Sequence, residues 1–142
     1  MPKQRLNETT ETNRLKKDIK AYDPCAFVHK VHGGTYGAGL PDLMIIHDGQ
    51  TYWLEMKVGN NKPTDRQMNT MMKMRDAGAR VAVATVTKTD GVWEMGIDGG
   101  EELFKEAVAW RHRGDEWPVE WIFNALDDWA EGKPAEARSA AP

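Results

Sequence analysis

The centre of the chain reads LPDLMIIHDGQTYWLEMKV, residues 40–58. Residues 43–46 form a continuous apolar run, and residues 51–58 are rich in β-formers. Between them, Asp48-Gly49 is a strong signal for a two-residue hairpin turn. This segment therefore predicts two adjacent antiparallel strands.

The second of these strands has two unlike faces, because side chains alternate across a strand. One face of residues 51–58 is apolar or aromatic throughout, whereas the other carries Glu55 and Lys57. Burying a carboxylate and an ammonium costs several kcal/mol of desolvation unless partners compensate. We therefore expect Glu55 and Lys57 to belong to a site, with a divalent cation as a good compensator.

Asp42 is the second acid of this segment. It lies six residues before Asp48, and Glu55 lies six residues after Gly49, so the hairpin is expected to bring the two carboxylates together. Mg²⁺ prefers hard oxygen ligands and is commonly held by one or two carboxylates. Lys57, on the same face as Glu55, could orient or activate a water and offset negative charge developing on phosphorus.

Outward from this hairpin, the pattern predicts further elements on both sides. Residues 11–22 have helical spacing, residues 26–28 begin a short strand, and Thr64 with Gln67 forms a capping box that opens a helix to about residue 77. Residues 81–86 predict a buried strand and the segment VWEMGI an edge strand, and residues 101–112 and 119–130 have helical patterns. The predicted fold class is α/β, a mixed central sheet flanked by helices with an α-helical C-terminal addition.

Composition indicates one soluble, globular domain of 142 residues. The predicted parts are a flexible N-terminus (1–10), a core (11–98), a helical addition (99–131) and a flexible tail (132–142). Cys25 is the only cysteine, and no run of about 18 apolar residues is present, so we expect a cytoplasmic protein without membrane contact. Residues 1–88 carry a net charge of +5 and residues 89–142 carry −8. A basic first half is compatible with DNA binding, although chance asymmetry explains the charges equally well.

The segments GLPDLMII and YWLEMKV resemble the signature of the PD-(D/E)xK nucleases, with Pro41-Asp42 as its first half and residues 55–57 as its second. The runs KVHGGTYGAGLPDL, LEMKVGNNKPTDRQ and AGARVAVATV resemble the VRR-NUC branch of that superfamily. The resemblance covers roughly residues 11–88. It implies a restriction-endonuclease-like core, dependence on Mg²⁺ or Mn²⁺, and hydrolysis of phosphodiester bonds.

The resemblance also implies roles for particular residues. Asp42, Glu55 and the Met56 carbonyl are expected to be metal ligands, and Lys57 the catalytic lysine. Glu11 falls where the family often has a helical glutamate near the metal, although Glu8 lies one turn earlier and either acid could simply be solvated at a helix start.

Gln67 resembles the helical glutamine that follows the ExK strand in these nucleases, although its part in the capping box already explains it. The glycines at 33, 34, 37 and 39 form a flexible turn or allow close approach to a DNA phosphate. The DNA-binding candidates are Lys30, His32, Gly34, Tyr36 and Lys62.

Four tryptophans, at positions 110, 117, 121 and 129, lie in the acidic C-terminal part. Tryptophan can anchor an interface, stack on bases or fill a core, and the acidic surroundings favour protein contact or core. Because two cuts in a branched DNA need two sites, we expect a homodimer with these helices as its interface. The alternative is that the tryptophans cap their own sheet.

The expected function is a metal-dependent DNA endonuclease selective for branched or junction DNA, with a role in DNA repair. A less selective DNA-end or flap nuclease is the alternative within enzymes. A DNA-binding or assembly protein that retains the nuclease fold is the alternative outside them, although Asp42, Glu55 and Lys57 are all intact.

Overall fold

The computed structural model describes residues 6–31, 39–90, 92–98, 108–110 and 116–132. Three α-helices and six β-strands lie within these ranges. In chain order they are α1 (Glu8–Tyr22), β1 (Phe27–Lys30), β2 (Leu43–His47), β3 (Gln50–Val58), α2 (Asp65–Asp76), β4 (Arg80–Thr89), β5 (Val92–Asp98), β6 (Val108–Trp110) and α3 (Val119–Ala130).

The strands form one mixed sheet in the order β1-β2-β3-β4-β5-β6. Only β3 and β4 are parallel, joined by a crossover through α2, and every other neighbouring pair is antiparallel. The predicted α/β class with a mixed sheet and flanking helices is confirmed. The strand predicted at VWEMGI exists as β5, but it is not an edge strand, because β6 pairs with its outer side.

The two faces of the sheet bury different cores. On one face, α1 and α3 cover the apolar side of β3, and the larger core forms there. On the other face, Met71 of α2 packs with Val81 and Val83 of β4, beside the half-buried Trp53. Glu55 and Lys57 belong to this second face, as the alternation along β3 predicted.

Local signals in the sequence explain where these elements begin and turn. Asp48 (φ 50°) and Gly49 (φ 78°) adopt left-handed conformations in the β2–β3 turn, as a two-residue hairpin requires. Thr64 and Gln67 form the predicted capping box at the start of α2.

The first helix begins earlier than predicted. The Asn7 side chain caps α1 by accepting hydrogen bonds from the backbone N–H groups of Thr9 and Thr10, at 2.8 and 3.2 Å. Residues 8–10, predicted to be part of a flexible N-terminus, are therefore helical. Residues 1–5 of that prediction and residues 133–142 of the predicted flexible tail lie outside the described residues.

The C-terminal part differs more from its prediction. Residues 108–110 form the strand β6 and not the helix predicted over 101–112, of which the rest lies outside the described residues. The predicted helix over 119–130 is confirmed as α3, and it packs into the main core through Ile122, Phe123 and Leu126. No helix among the described residues has the length and apolar character needed to cross a membrane.

The tryptophans of this part are mostly internal. Trp117 and Trp129 are 4% and 8% exposed, and Trp121 is half-buried against the same core. The Trp110 side chain lies outside what the structure describes. The described tryptophans therefore pack onto their own sheet, as the alternative prediction had it. Little of their surface is left exposed for the dimer interface that was predicted on these helices.

Candidate active site

The site lies where β3 runs past the end of β2. The last paired residues there are Leu43 and Leu54, and the same register places Asp42 opposite Glu55, as predicted from the hairpin. On the β1 side, the Asp42 carbonyl continues the pairing by accepting a hydrogen bond from Val31 N–H at 2.7 Å. On the β3 side, its Oδ2 accepts a hydrogen bond from the backbone N–H of Met56 at 3.1 Å.

Three carboxylates, from α1, from the residue before β2 and from β3, meet at this point. One oxygen from each of Glu8, Asp42 and Glu55 lies within 4.8 Å of the others. Glu8 therefore takes the place predicted for Glu11. Glu11 lies one turn further along α1, where it is 2% exposed and forms an ion pair with Arg14 at 3.2 Å.

Glu55 is the most buried of the three acids, at 1% exposure. Its Oε1 contacts Lys57 Nζ at 3.3 Å and accepts a hydrogen bond from Gln67 Nε2 at 3.2 Å. Its Oε2 is buried with no hydrogen-bond partner among the described residues. Burial raises the pKa of Glu55 well above its usual 4.5, and the neighbouring Asp42 raises it further, against the opposing effect of Lys57.

Glu8 has a similar but weaker perturbation. Partial burial raises its pKa above 4.5, Lys57 and Lys30 lower it, and Asp42 raises it. Lys30, a predicted DNA-binding residue at the end of β1, is thus close enough to the acids to act on their charge. Lys57 and Lys30 are thus the two described cations that favour the charged form of Glu8.

This arrangement fits a divalent cation. An unpartnered, buried carboxylate oxygen beside two further carboxylates costs free energy that a bound cation would recover, and oxygen ligands of this kind suit Mg²⁺ or Mn²⁺. Asp42, Glu55 and Glu8 are the residues that would hold it. The part of the Met56 carbonyl as a further ligand stays a prediction.

The Gln67 side chain has two partners. Its Oε1 accepts a hydrogen bond from Thr64 N at 2.9 Å, which completes the capping box, while its Nε2 donates to Glu55. The capping box is thus confirmed and the side chain also contacts Glu55, while the functional part of Gln67 stays a prediction. The Gln67 amide thus connects the start of α2 with the Glu55 carboxylate of β3 through hydrogen bonds.

The first prediction separates these two contacts. Gln67→Met removes both the donor to Glu55 and the acceptor of the Thr64 N–H, and it adds no charge beside the acids. Loss of the supporting contact should lower Mg²⁺ affinity by about 10- to 100-fold, measured by titration calorimetry. Thr64→Ala, the control, weakens only the cap and should lower stability by about 1 kcal/mol with Mg²⁺ affinity unchanged. Unchanged affinity in Gln67→Met would assign Gln67 to the cap alone.

The other predicted DNA-binding residues have mixed outcomes. Lys62 is exposed in the loop that leads from β3 to α2, and His32, Gly34 and Tyr36 lie outside the described residues. Gly39 (φ +93°) ends the glycine-rich stretch against α2, where an added Cβ would lie 2.6 Å from Thr70 Oγ1 and 3.3 Å from the Arg66 carbonyl oxygen. The chain therefore approaches α2 too closely at this point for any side chain.

The second prediction concerns metal-free stability. Burial makes Glu55 costly to ionise in the folded protein. Glu55→Gln removes that cost, so it should raise the melting temperature without metal at neutral pH by about 2–4 °C for each kcal/mol gained. The pKa of Glu55 is higher in the folded state than the usual 4.5 of the unfolded chain, so the stability of the wild type falls as pH rises from 4.5 to the raised pKa. Below pH 4.5 the carboxyl is protonated in both states, and the stability gained by Glu55→Gln should therefore vanish. Thermal melts in EDTA across this range test it. A gain that is independent of pH would contradict the account.

No protein-family model matches the sequence, and no curated protein matches it. The resemblance drawn from the motifs therefore remains a prediction.

Proposed function

We propose that this chain is a metal-dependent DNA nuclease with a restriction-endonuclease-like core of the VRR-NUC type. The observation that carries the proposal is the meeting of Glu8, Asp42 and Glu55 within 4.8 Å, with Lys57 Nζ 3.3 Å from Glu55. Three carboxylates and a lysine in one cluster are the groups that metal-assisted phosphodiester hydrolysis needs.

Each residue has a distinct part in the proposed reaction. Asp42, Glu55 and Glu8 bind Mg²⁺ or Mn²⁺, which when bound stabilises negative charge on the scissile phosphate and makes water more acidic. Lys57, whose side chain is 12% exposed, reaches the site from the same strand as Glu55. Its ammonium orients the attacking water and donates hydrogen bonds to the charge that develops on the phosphate oxygens. Gln67 holds the Glu55 carboxylate in place.

DNA is the proposed substrate, and branched or junction DNA its preferred form. Lys30 lies close to the acids, and Lys62 lies in the loop that follows β3. These positions suit contact with DNA phosphates on either side of the cut. The alternative, a less selective DNA-end or flap nuclease, uses the same site. Labelled four-way junction, flap, nicked and linear duplex DNA, each incubated with Mg²⁺ or Mn²⁺, would separate these substrates. Equal rates on all four would overturn the junction preference.

A homodimer remains part of the proposal, but on a different surface. Phe27 of β1 and Ile46 of β2 are direct cross-strand partners and are 52% and 41% exposed. They lie on the sheet face that also carries Glu55. Neither residue is charged, so two copies could meet here without repulsion, and an interface on this face would bring two metal sites near one another.

The third prediction tests this dimer surface. Phe27→Lys with Ile46→Lys should convert a dimer at micromolar concentration to a monomer, measured by light scattering, because four buried charges per dimer would oppose association. The control is Met72→Lys. Met72 is also apolar and exposed (47%), but it lies on α2 and not on the proposed dimer surface, so this variant should leave the mass unchanged. A monomeric wild type, free and with junction DNA, would exclude the dimer.

A further inference from the structure

A pocket lies at the start of α1, next to the proposed metal site. It encloses about 420 Å³, within the range of sites for small ligands. Its lining on the helix side includes Asn7, Thr10, Glu11 and Arg14, and on the sheet side it includes Lys88 of β4 and Trp93 of β5. The spacing of the first four residues places them on one face of the helix. We call this site the α1 pocket.

Two cations are held over one aromatic ring in the α1 pocket. The guanidinium carbon of Arg14 lies 4.1 Å from the centre of the Trp93 ring, and Lys88 Nζ lies 4.8 Å from it. The electron-rich face of the ring attracts both cations. Trp93 itself packs against the main core, so the ring is a firm support. Two positive charges that repel each other are therefore kept close together.

The charge of the described pocket lining is positive. Its acid, Glu11, is 2% exposed and pairs with Arg14 at 3.2 Å. Burial raises the pKa of Glu11 above 4.5, while Arg14 and then Lys88 lower it, so the charge of Lys88 also reaches this acid. Lys88 is exposed, and the Arg14 side chain is 25% exposed. The pocket thus presents two accessible cations to solvent against one acid that is buried.

The α1 pocket borders the metal site along the helix. Asn7 directly precedes Glu8, and Glu11 lies one turn further, about 5 Å along the axis. The Arg14 guanidinium reaches back to that turn, where it contacts Glu11. A DNA strand rises about 3.4 Å per nucleotide. A strand with one phosphate at Glu8 would therefore have another phosphate at the pocket, about one to three nucleotides away.

We propose that the α1 pocket binds a backbone phosphate of the DNA strand that is cut, about one to three nucleotides from the scissile phosphate. This inference rests on the proposed nuclease function. Arg14 and Lys88 donate hydrogen bonds to the phosphate oxygens, and the anion offsets the repulsion between the two cations. Trp93 keeps both cations in place. The pocket positions the strand over the metal and takes no part in the chemical step.

The probe is a fluorescein-labelled four-way DNA junction, and its binding to the full chain in EDTA is followed by fluorescence anisotropy at several salt concentrations. Lys88→Met removes one cation from an exposed position. It should weaken binding about fivefold, which corresponds to about 1 kcal/mol. The plot of log affinity against log salt concentration should become shallower by about 1. Lys88→Arg keeps the charge and the contact with Trp93, so it should bind like wild type.

The matched control is Lys73→Met. Lys73 is an exposed lysine in the last turn of α2, on the other face of the sheet. Its substitution removes the same charge from the protein but not from the α1 pocket. The affinity and its salt dependence should therefore stay as in the wild type.

A scan with neutral methylphosphonates locates the contacted phosphate. The phosphates of one junction strand are replaced one at a time, and binding is measured for the wild type and for Lys88→Met. At one position the replacement should weaken binding of the wild type but have little effect on Lys88→Met, because one partner of the contact is already absent. In Mg²⁺, the wild type should cut about one to three nucleotides from that position.

Failure of this inference and failure of the nuclease proposal have different signatures. Unchanged binding by Lys88→Met, equal weakening by Lys88→Met and Lys73→Met, or a methylphosphonate effect that persists in full in Lys88→Met would each overturn the phosphate site. Cleavage far from the contacted phosphate would overturn it as well. A chain that shows the phosphate contact but leaves the junction intact with Mg²⁺ and Mn²⁺ would uphold the contact and overturn the nuclease proposal.

Discussion

Glu55→Gln and Asp42→Asn should each lower Mg²⁺-dependent cleavage of DNA by about a thousandfold or more. Each substitution removes a charged oxygen ligand but keeps the volume of the side chain, so the fold should survive. Each variant loses stabilisation of the negative charge at the phosphate. Removing a single stabilising group commonly lowers the rate by 10²- to 10³-fold, and loss of the metal itself should lower it further. Single-turnover cleavage at saturating protein measures the rate of the chemical step.

Glu11→Gln is the matched control for these variants. Glu11 is a buried carboxylate on the same helix as Glu8, but its partner is Arg14 and it lies outside the acidic trio. Its substitution should leave the cleavage rate within a few-fold of wild type, whereas Glu8→Gln should lower it clearly. If Glu11→Gln had a normal melting temperature but were as inactive as Glu55→Gln, the site would have to include Glu11 of α1, against this account.

Lys57→Met should lower the single-turnover rate by about 10²- to 10³-fold while DNA affinity stays within a few-fold of wild type. In the proposed reaction the ammonium contacts the reacting groups, whereas phosphate binding would be shared among several basic residues of the first half of the chain. Methionine keeps most of the length of the side chain but cannot donate a hydrogen bond.

The control for Lys57 is Lys62→Met, an exposed lysine in the loop after β3. It should weaken DNA binding modestly and leave the rate at saturation unchanged. The opposite pattern in Lys57→Met, weak binding with a normal rate at saturation, would assign Lys57 to docking of DNA.

The hairpin and its two site residues were predictable from the sequence because short-range rules determine them. The Asp48-Gly49 turn sets the register of β2 and β3, and that register alone places Asp42 opposite Glu55. Alternation along β3 then assigns Glu55 and Lys57 to one face. No long-range information is needed for either step.

Glu8 was less predictable, because its place depends on how α1 packs across the sheet. A signal was present: Asn7 is a good N-cap, and starting the helix there makes Glu8 its first residue. The choice between Glu8 and Glu11 still requires the position of the helix relative to Asp42, which only tertiary packing determines.

The C-terminal part was predicted least well. Residues 108–110 have a helical pattern in their neighbourhood but form β6, because pairing with the open side of β5 overrides local propensity. The pattern of α3 correctly indicated a helix. It did not indicate that its apolar side, with Phe123 and Leu126, packs into the main core instead of against a partner.

The most direct test of the central claim is a cleavage assay with the purified full chain. DNA junctions labelled at the 5′ end are incubated with the protein in Mg²⁺, in Mn²⁺ and in EDTA, beside the Asp42→Asn variant. We expect discrete products with Mg²⁺ or Mn²⁺, none in EDTA and none from the variant. Folded wild-type protein that leaves the DNA intact with either metal, or cleavage that persists in EDTA or in Asp42→Asn, would contradict the account.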